Sequence, residues 1–147
     1  SGFIGQYAHG NEPSHHIAYL YNYVGQPHKT QLYVNKILTG LYHNTPDGLC
    51  GNEDCGQMSA WYVFSAMGFY PVNPVEGKYQ LGAPLFDKIT LSTGPEKKFV
   101  ITANKESDGH IYVQEVYLNE KRLDRTWIAH EEIMNGGKLK FVLSTRP

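Results

Sequence analysis

The spacing of apolar residues changes period at Phe69-Tyr70-Pro71-Val72-Asn73-Pro74, and that switch restricts the chain to a mixed architecture. Upstream, apolar residues recur every three to four positions, as on one face of a helix. Downstream, they alternate every second position, as on one face of a strand. Proline supplies no amide proton and biases the residue before it toward extended backbone, so neither pattern can run through this segment. The sequence therefore predicts an α+β chain, helical over 1–77 and β over 78–147.

The helical part reads as three elements. Pro13 suits a first helical position, and Ile17, Leu20, Tyr21 and Val24 follow at i, i+3, i+4 and i+7, which predicts a helix over 13–24 ended by Gly25 and Pro27. A second helix is expected from Lys29 to His43, with Tyr33, Val34, Ile37, Leu38 and Leu41 as its buried stripe, closed by the turn Asn44-Thr45-Pro46-Asp47-Gly48. The third starts at Gly51-Asn52-Glu53-Asp54-Cys55-Gly56-Gln57. There Asp54 is the natural N-cap and Gln57, three residues on, fits a capping box; Gly68 and Pro71 stop it.

Beyond Pro74 the alternating runs are Lys88–Ser92, Lys98–Thr102, Ile111–Leu118 and Lys138–Leu143, separated by turns at Gly94-Pro95, Asp108-Gly109, Asn119-Glu120 and Gly136-Gly137. They predict a small antiparallel sheet or sandwich, interrupted by a helical turn at His130–Ile133.

Charge narrows the functions. The 147 residues carry a formal charge of −1, so no basic face invites nucleic acid or an anionic membrane surface. No run of 18 apolar residues exists to span a bilayer. The first 77 residues hold two basic residues, Lys29 and Lys36, but twelve of the nineteen aromatics and five of the seven histidines. Tyrosine, histidine, asparagine and carboxylate without lysine or arginine suit either a neutral polyhydroxylated ligand or a tyrosine-rich core. Cys50 and Cys55 are too few for a disulfide scaffold and could be paired or free. Neither a serine-nucleophile elbow nor a phosphate loop is present.

Two polar turns concentrate the chemistry. In His9-Gly10-Asn11-Glu12-Pro13-Ser14-His15-His16, the oxygens of Asn11 and Glu12 either cap a helix or ligate a hard cation. Adjacent His15 and His16 point about 100° apart on a helix, which disfavours zinc, whereas His9 could reach a ligand hydroxyl or be a structural histidine. In Asn52-Glu53-Asp54, Asp54 is either a cap or a general base, and Glu53 beside it adds a like charge that a cation or ligand would relieve.

Taken together, Gly5–His16 and Gly51–Trp61 closely resemble signature blocks of glycoside hydrolase family 92, calcium-dependent exo-α-mannosidases, many of them α-1,2-mannosidases from gut bacteria. The resemblance runs the length of the chain. It implies the last helices of an (α/α)6 barrel followed by the C-terminal β layer, with the rest of the parent chain supplying an N-terminal β-sandwich, the remaining barrel and a Glu general acid upstream of Ser1. It further implies an inverting reaction on a mannose-containing glycan such as an N-glycan, with calcium under the mannose at the −1 subsite and a periplasmic or secreted bacterial location. Residue by residue, Asp54 corresponds to the general base, Asn11 and Glu12 to the metal-binding turn, and His9 and Glu53 to positions at the sugar. Asn52 replaces a second Asp found in many relatives and becomes a possible helper of the base. The other class of function compatible with the residues is a carbohydrate-binding or interaction module without catalysis.

Overall fold

Each alternating run beyond Pro74 becomes a strand, because its apolar positions can then all face one layer. The computed structural model describes residues 1–147. The chain opens with a hairpin, β1 (Phe3–Ile4) against β2 (Tyr7–Ala8). Two 3-10 segments (Glu12–Ser14, Ile17–Val24), α1 (Pro27–Gly40), α2 (Gln57–Met67) and β3 (Phe69–Tyr70) complete the helical part. Then come a 3-10 turn at Pro74–Glu76, β4 (Lys78–Leu81), β5 (Lys88–Gly94), β6 (Lys97–Ala103), β7 (Tyr112–Leu118), β8 (Lys121–Arg122), β9 (Trp127–Ala129), α3 (His130–Met134) and β10 (Gly137–Ser144).

Two sheets face each other. One has the order β5-β6-β10-β7-β8, the other β3-β4-β9. Phe99 and Ile101 of β6, Val116 and Leu118 of β7, and Leu139, Phe141 and Leu143 of β10 bury against Phe69, Leu81 and Ile128 of the smaller sheet and Ile133 of α3. The sheet expected to be antiparallel is mixed: β10 runs parallel to β6, pairing Gly137 with Phe99 through Phe141 with Ala103. The long excursion through β7, β8, β9 and α3 gives the crossover that a parallel neighbour requires. The short strands β3, β4 and β9 have too few alternating positions to register in sequence. β3, before residue 77, pairs with β4 beyond it, so the smaller sheet is shared between the two halves of the chain.

A second core lies among the helices, made of Ala18, Tyr19, Val34, Ile37, Leu38, Trp61 and Ala66. The helix expected over 13–24 is instead two 3-10 segments, and they bury Ala18, Tyr19 and Asn22. The expected stripe faces outward, with Ile17 43%, Leu20 42% and Val24 66% exposed. The buried Asn22 explains the rotation, since its amide donates to the Leu81 carbonyl at 2.9 Å and to Gln80 Oε1 at 3.2 Å, anchoring the segment on β4. Gln31 of α1 ties the helical layer to the larger sheet by accepting the Val113 amide at 2.9 Å. α1 starts at Pro27, ahead of the expected Lys29, because proline suits the first helical turn, and it ends at Gly40.

Candidate active site

The two polar turns meet through glycine. A Cβ on Gly51 would lie 2.7 Å from the Gly10 carbonyl oxygen and 2.8 Å from Gly10 Cα, and one on Gly10 would lie 2.8 Å from the Cys50 carbonyl oxygen. Only bare backbone allows that approach. The Gly10 amide donates to the Ser1 carbonyl at 3.1 Å, and the His9 amide donates to the Gly2 carbonyl at 3.0 Å. Residues 1–2, 9–10 and 50–51 are thereby locked side by side.

From this junction each turn sends a carboxylate to the same place. Glu12 enters its 3-10 turn from an extended Asn11, φ −125°. Asp54 and Cys55 take left-handed φ of 45° and 56°, followed by Gly56 at 86°, a costly run that asparagine, aspartate and glycine bear best. The expected capping box is not formed. Gly56 occupies the N-cap position, and Glu53 caps instead, its carboxylate accepting the Ser59 amide at 2.8 Å and the Ser59 hydroxyl at 2.6 Å. Relieved of capping, Asp54 is exposed, and its carboxyl stands near enough to that of Glu12 for each to shift the other's titration. The contact with Glu12 raises the Asp54 pKa above the ordinary aspartate value, opposite to the depression a capping role would give. The Glu12 carboxyl is held below its usual range by its own backbone amide and then by Asp54. The Ser59 hydroxyl and amide likewise depress Glu53. Asn11 and Asn52 are exposed beside these carboxylates.

Beneath the carboxylates lies a buried aromatic and histidine cluster. His9, expected at the sugar, is fully buried, and both its ring nitrogens are used: Nδ1 meets Tyr7 Oη at 2.7 Å and Nε2 meets Tyr42 Oη at 2.6 Å. The Tyr42 hydroxyl donates its proton to the Met58 carbonyl at 2.9 Å. His9 Nε2–H must therefore donate to Tyr42, which leaves Nδ1 to accept from Tyr7. Burial, then the neighbouring His15, lowers the His9 pKa to about 3, so the ring is neutral. His15 stacks on it with centroids 4.6 Å apart, and the Trp61 edge is 4.4 Å away. His15 Nε2 donates to the His9 carbonyl at 2.9 Å, while Gln57 donates to His15 Nδ1 and to the Tyr70 hydroxyl, both at 3.0 Å. Sequence reasoning missed Tyr7, Tyr42, Gln57 and Tyr70 as parts of this support. Tyr7 and Gln57 could have been found by their presence inside the two motifs; Tyr42 and Tyr70 lie outside both.

The carboxylates fit a hard cation in part. Glu12 Oε1 is shielded from solvent and has no hydrogen-bond partner, an orphan that a cation would satisfy, and a second carboxylate stands against it. No group of three or more His, Cys, Asp or Glu side chains converges anywhere in the chain, so these residues are a partial ligand set.

A family model described as the glycosyl hydrolase family 92 catalytic domain matches residues 1–145, and the chain belongs to that family. It resembles a family GH92 α-mannosidase from Bacteroides thetaiotaomicron, with 48% identity over 99% of this chain and 20% of that one, at a TM-score of 0.94; the same mannosidase is also known in complex with mannoimidazole. It resembles a GH92 inverting mannosidase of that organism with 46% identity over 97% of this chain and 19% of that one, TM-score 0.89. An uncharacterized secreted glycosidase of Arthroderma benhamiae is 33% identical over 137 residues, 91% of this chain and 18% of the relative. The chain thus spans about a fifth of the length of each of these relatives. No helix in it is long and apolar enough to cross a membrane.

Proposed function

We propose that this chain is the C-terminal part of an inverting, exo-acting α-mannosidase that removes α-linked mannose, α-1,2-linked in the first instance, from glycans such as N-glycans. The observation that carries this reading is the meeting of Glu12 and Asp54, brought together from distant turns by the Gly10–Gly51 contact. Asp54 acts as general base: its carboxylate takes a proton from the water that attacks the anomeric carbon. Asn52, next to it, holds that water through its amide. The leaving oxygen is protonated by a glutamic acid in the remaining barrel of the parent chain, an (α/α)6 barrel in this reading, across the longer gap that inversion demands. Glu12 Oε1 and the Asn11 side chain hold calcium, with the other ligands from outside this segment. Calcium supplies fixed positive charge and coordination for sugar hydroxyls when bound. Glu53 holds the turn through Ser59, and His9 holds it from below through Tyr42 and Met58. A relative known as a secreted glycosidase supports action outside the cytoplasm, in the periplasm or secreted, and the Bacteroides relatives support a bacterial source.

Asp54→Asn in the full-length protein tests the base. Hydrolysis of an α-1,2-mannobiose should fall by about 10²–10⁴-fold, with substrate affinity retained. Activity within a few-fold of wild type would remove Asp54 from the mechanism. In the same protein, chelation with EGTA should abolish hydrolysis, and added calcium should restore it in the wild type but far less in Glu12→Gln.

A further inference from the structure

The carboxylate rim is not the only place on this chain shaped for a sugar. Tyr42 and Leu49 pair as an isolated bridge, and between them the chain forms a tight loop in which the His43 amide donates to the Gly48 carbonyl and the Gly48 amide to the Thr45 carbonyl, both at 3.0 Å. A Cβ on Gly48 would fall 1.9 Å from the His43 carbonyl oxygen, so the loop has one shape and only glycine permits it. Between this loop and α2 runs a cleft of about 460 Å³, with Tyr42, His43 and Asn44 on one wall and Ser59, Tyr62 and Val63 on the other. The volume lies within the range of small-ligand sites. Its lining contains ring faces and neutral hydrogen-bonding groups, and no lysine, arginine or carboxylate.

The cleft also adjoins the site already described. Ser59, on its wall, is the residue that bonds Glu53, one position before Asp54. The Tyr42 ring, 5.0 Å from that of Tyr62, belongs to the cluster under the carboxylates through His9. The cleft therefore shares the Ser59 wall with the turn that carries Asp54.

We propose that this cleft is an accessory sugar-binding site, taking a neutral pyranose residue of the glycan beyond the mannose held at Asp54, with the Tyr62 ring against the sugar face and His43 and Asn44 on its hydroxyls. This rests on the α-mannosidase reading and adds a second point of contact that makes long glycans better ligands than short ones.

The test uses the full-length protein carrying Asp54→Asn, titrated calorimetrically in calcium with methyl α-mannoside and with a linear α-mannotetraose. Adding His43→Ala with Asn44→Ala, both exposed loop side chains, or separately Tyr62→Ala, should weaken tetraose binding by about tenfold, the scale of one aromatic or hydrogen-bonding contact, and methyl mannoside binding less than twofold. The thermal melt of each variant reports on folding, and the loop variants decide if Tyr62→Ala melts early. Equal weakening for both ligands, or none for either, overturns the site; binding of neither ligand overturns it together with the mannosidase reading. Continued turnover in Asp54→Asn would sink the base assignment alone, because the two ligands can then be compared through KM and still decide the cleft.

Discussion

Among single residues, His9 sets how acid the surroundings can become before this fold yields. Its ring is neutral in the folded chain down to about pH 3, whereas in the unfolded chain it takes a proton near pH 6.5. Between those values the unfolded state binds more protons, so stability is complete above pH 6.5 and is lost as pH falls toward 3, by up to about 1.4 kcal/mol per pH unit for this one group. His15, stacked on His9 and also lowered by burial, acts in the same sense. Urea unfolding at pH 7, 5.5 and 4 should give a steep fall in the wild type, and a lower starting value with a shallower fall in His9→Gln. An unchanged slope in His9→Gln would show that the acid limit lies elsewhere. The burial of His9 was not legible in sequence. A histidine in a Gly-Asn turn reads as exposed, and nothing in the local pattern announces that Tyr42 and Trp61, far along the chain, close over it. The meeting of the two turns was expected only through the family resemblance of both motifs, since each carboxylate read by itself fits a plain helix cap.

At the level of elements, the junction of the two turns governs the carboxylates. Gly51→Ala would press a methyl group into the Gly10 backbone, and distances of 2.7 and 2.8 Å to backbone atoms leave no side-chain movement that could absorb it. We expect a loss of about 1–3 kcal/mol of stability, typical of an overpacked contact, and a fall of order 10²-fold in kcat of the full-length protein, the usual effect of displacing a catalytic group by about 1 Å. Chemical unfolding and hydrolysis kinetics measure the two; a Gly51→Ala protein with wild-type stability and kcat would mean that the turns are positioned independently of this contact. The entrance to α2 also marks the limit of cap rules read from sequence. Asp54 and Gln57 have capping-box spacing, yet Glu53, one residue earlier, takes the Ser59 amide and the left-handed turn at Asp54–Gly56 frees Asp54. Spacing cannot separate neighbouring acids that compete for the same amides. The long strands were legible through their alternation; β3, β4 and β9 were not, being two to four residues long.

For the whole molecule, the decisive feature is the apolar surface on the helical side. Ile17, Leu20, Tyr23 and Val24 are 42–66% exposed. Beside them Ile4, Tyr7, Ile17, Tyr21, Tyr33 and Ile37 line a groove of about 170 Å³. Sequence periodicity marked Ile17, Leu20 and Val24 as the apolar stripe of a helix over 13–24, whereas the segment is 3-10 and that stripe faces outward. The relatives are about five times longer, and in the function proposed above the rest of the parent chain is the natural occupant. Contiguous apolar surface of this kind drives association when left open. The isolated 147-residue chain should therefore bind a hydrophobic dye such as ANS and elute as concentration-dependent oligomers. Replacing Leu20 and Val24 together with lysine should restore a monomer without loss of the β-layer melt, since both side chains are exposed. The same isolated chain should release no mannose from α-1,2-mannobiose, even as the lysine variant, because the general acid of the proposed mechanism belongs to the rest of the parent chain. A monomeric, dye-silent wild-type chain would refute the covering face. Measurable mannose release by either form would refute the division of the catalytic pair between this segment and the rest of its parent.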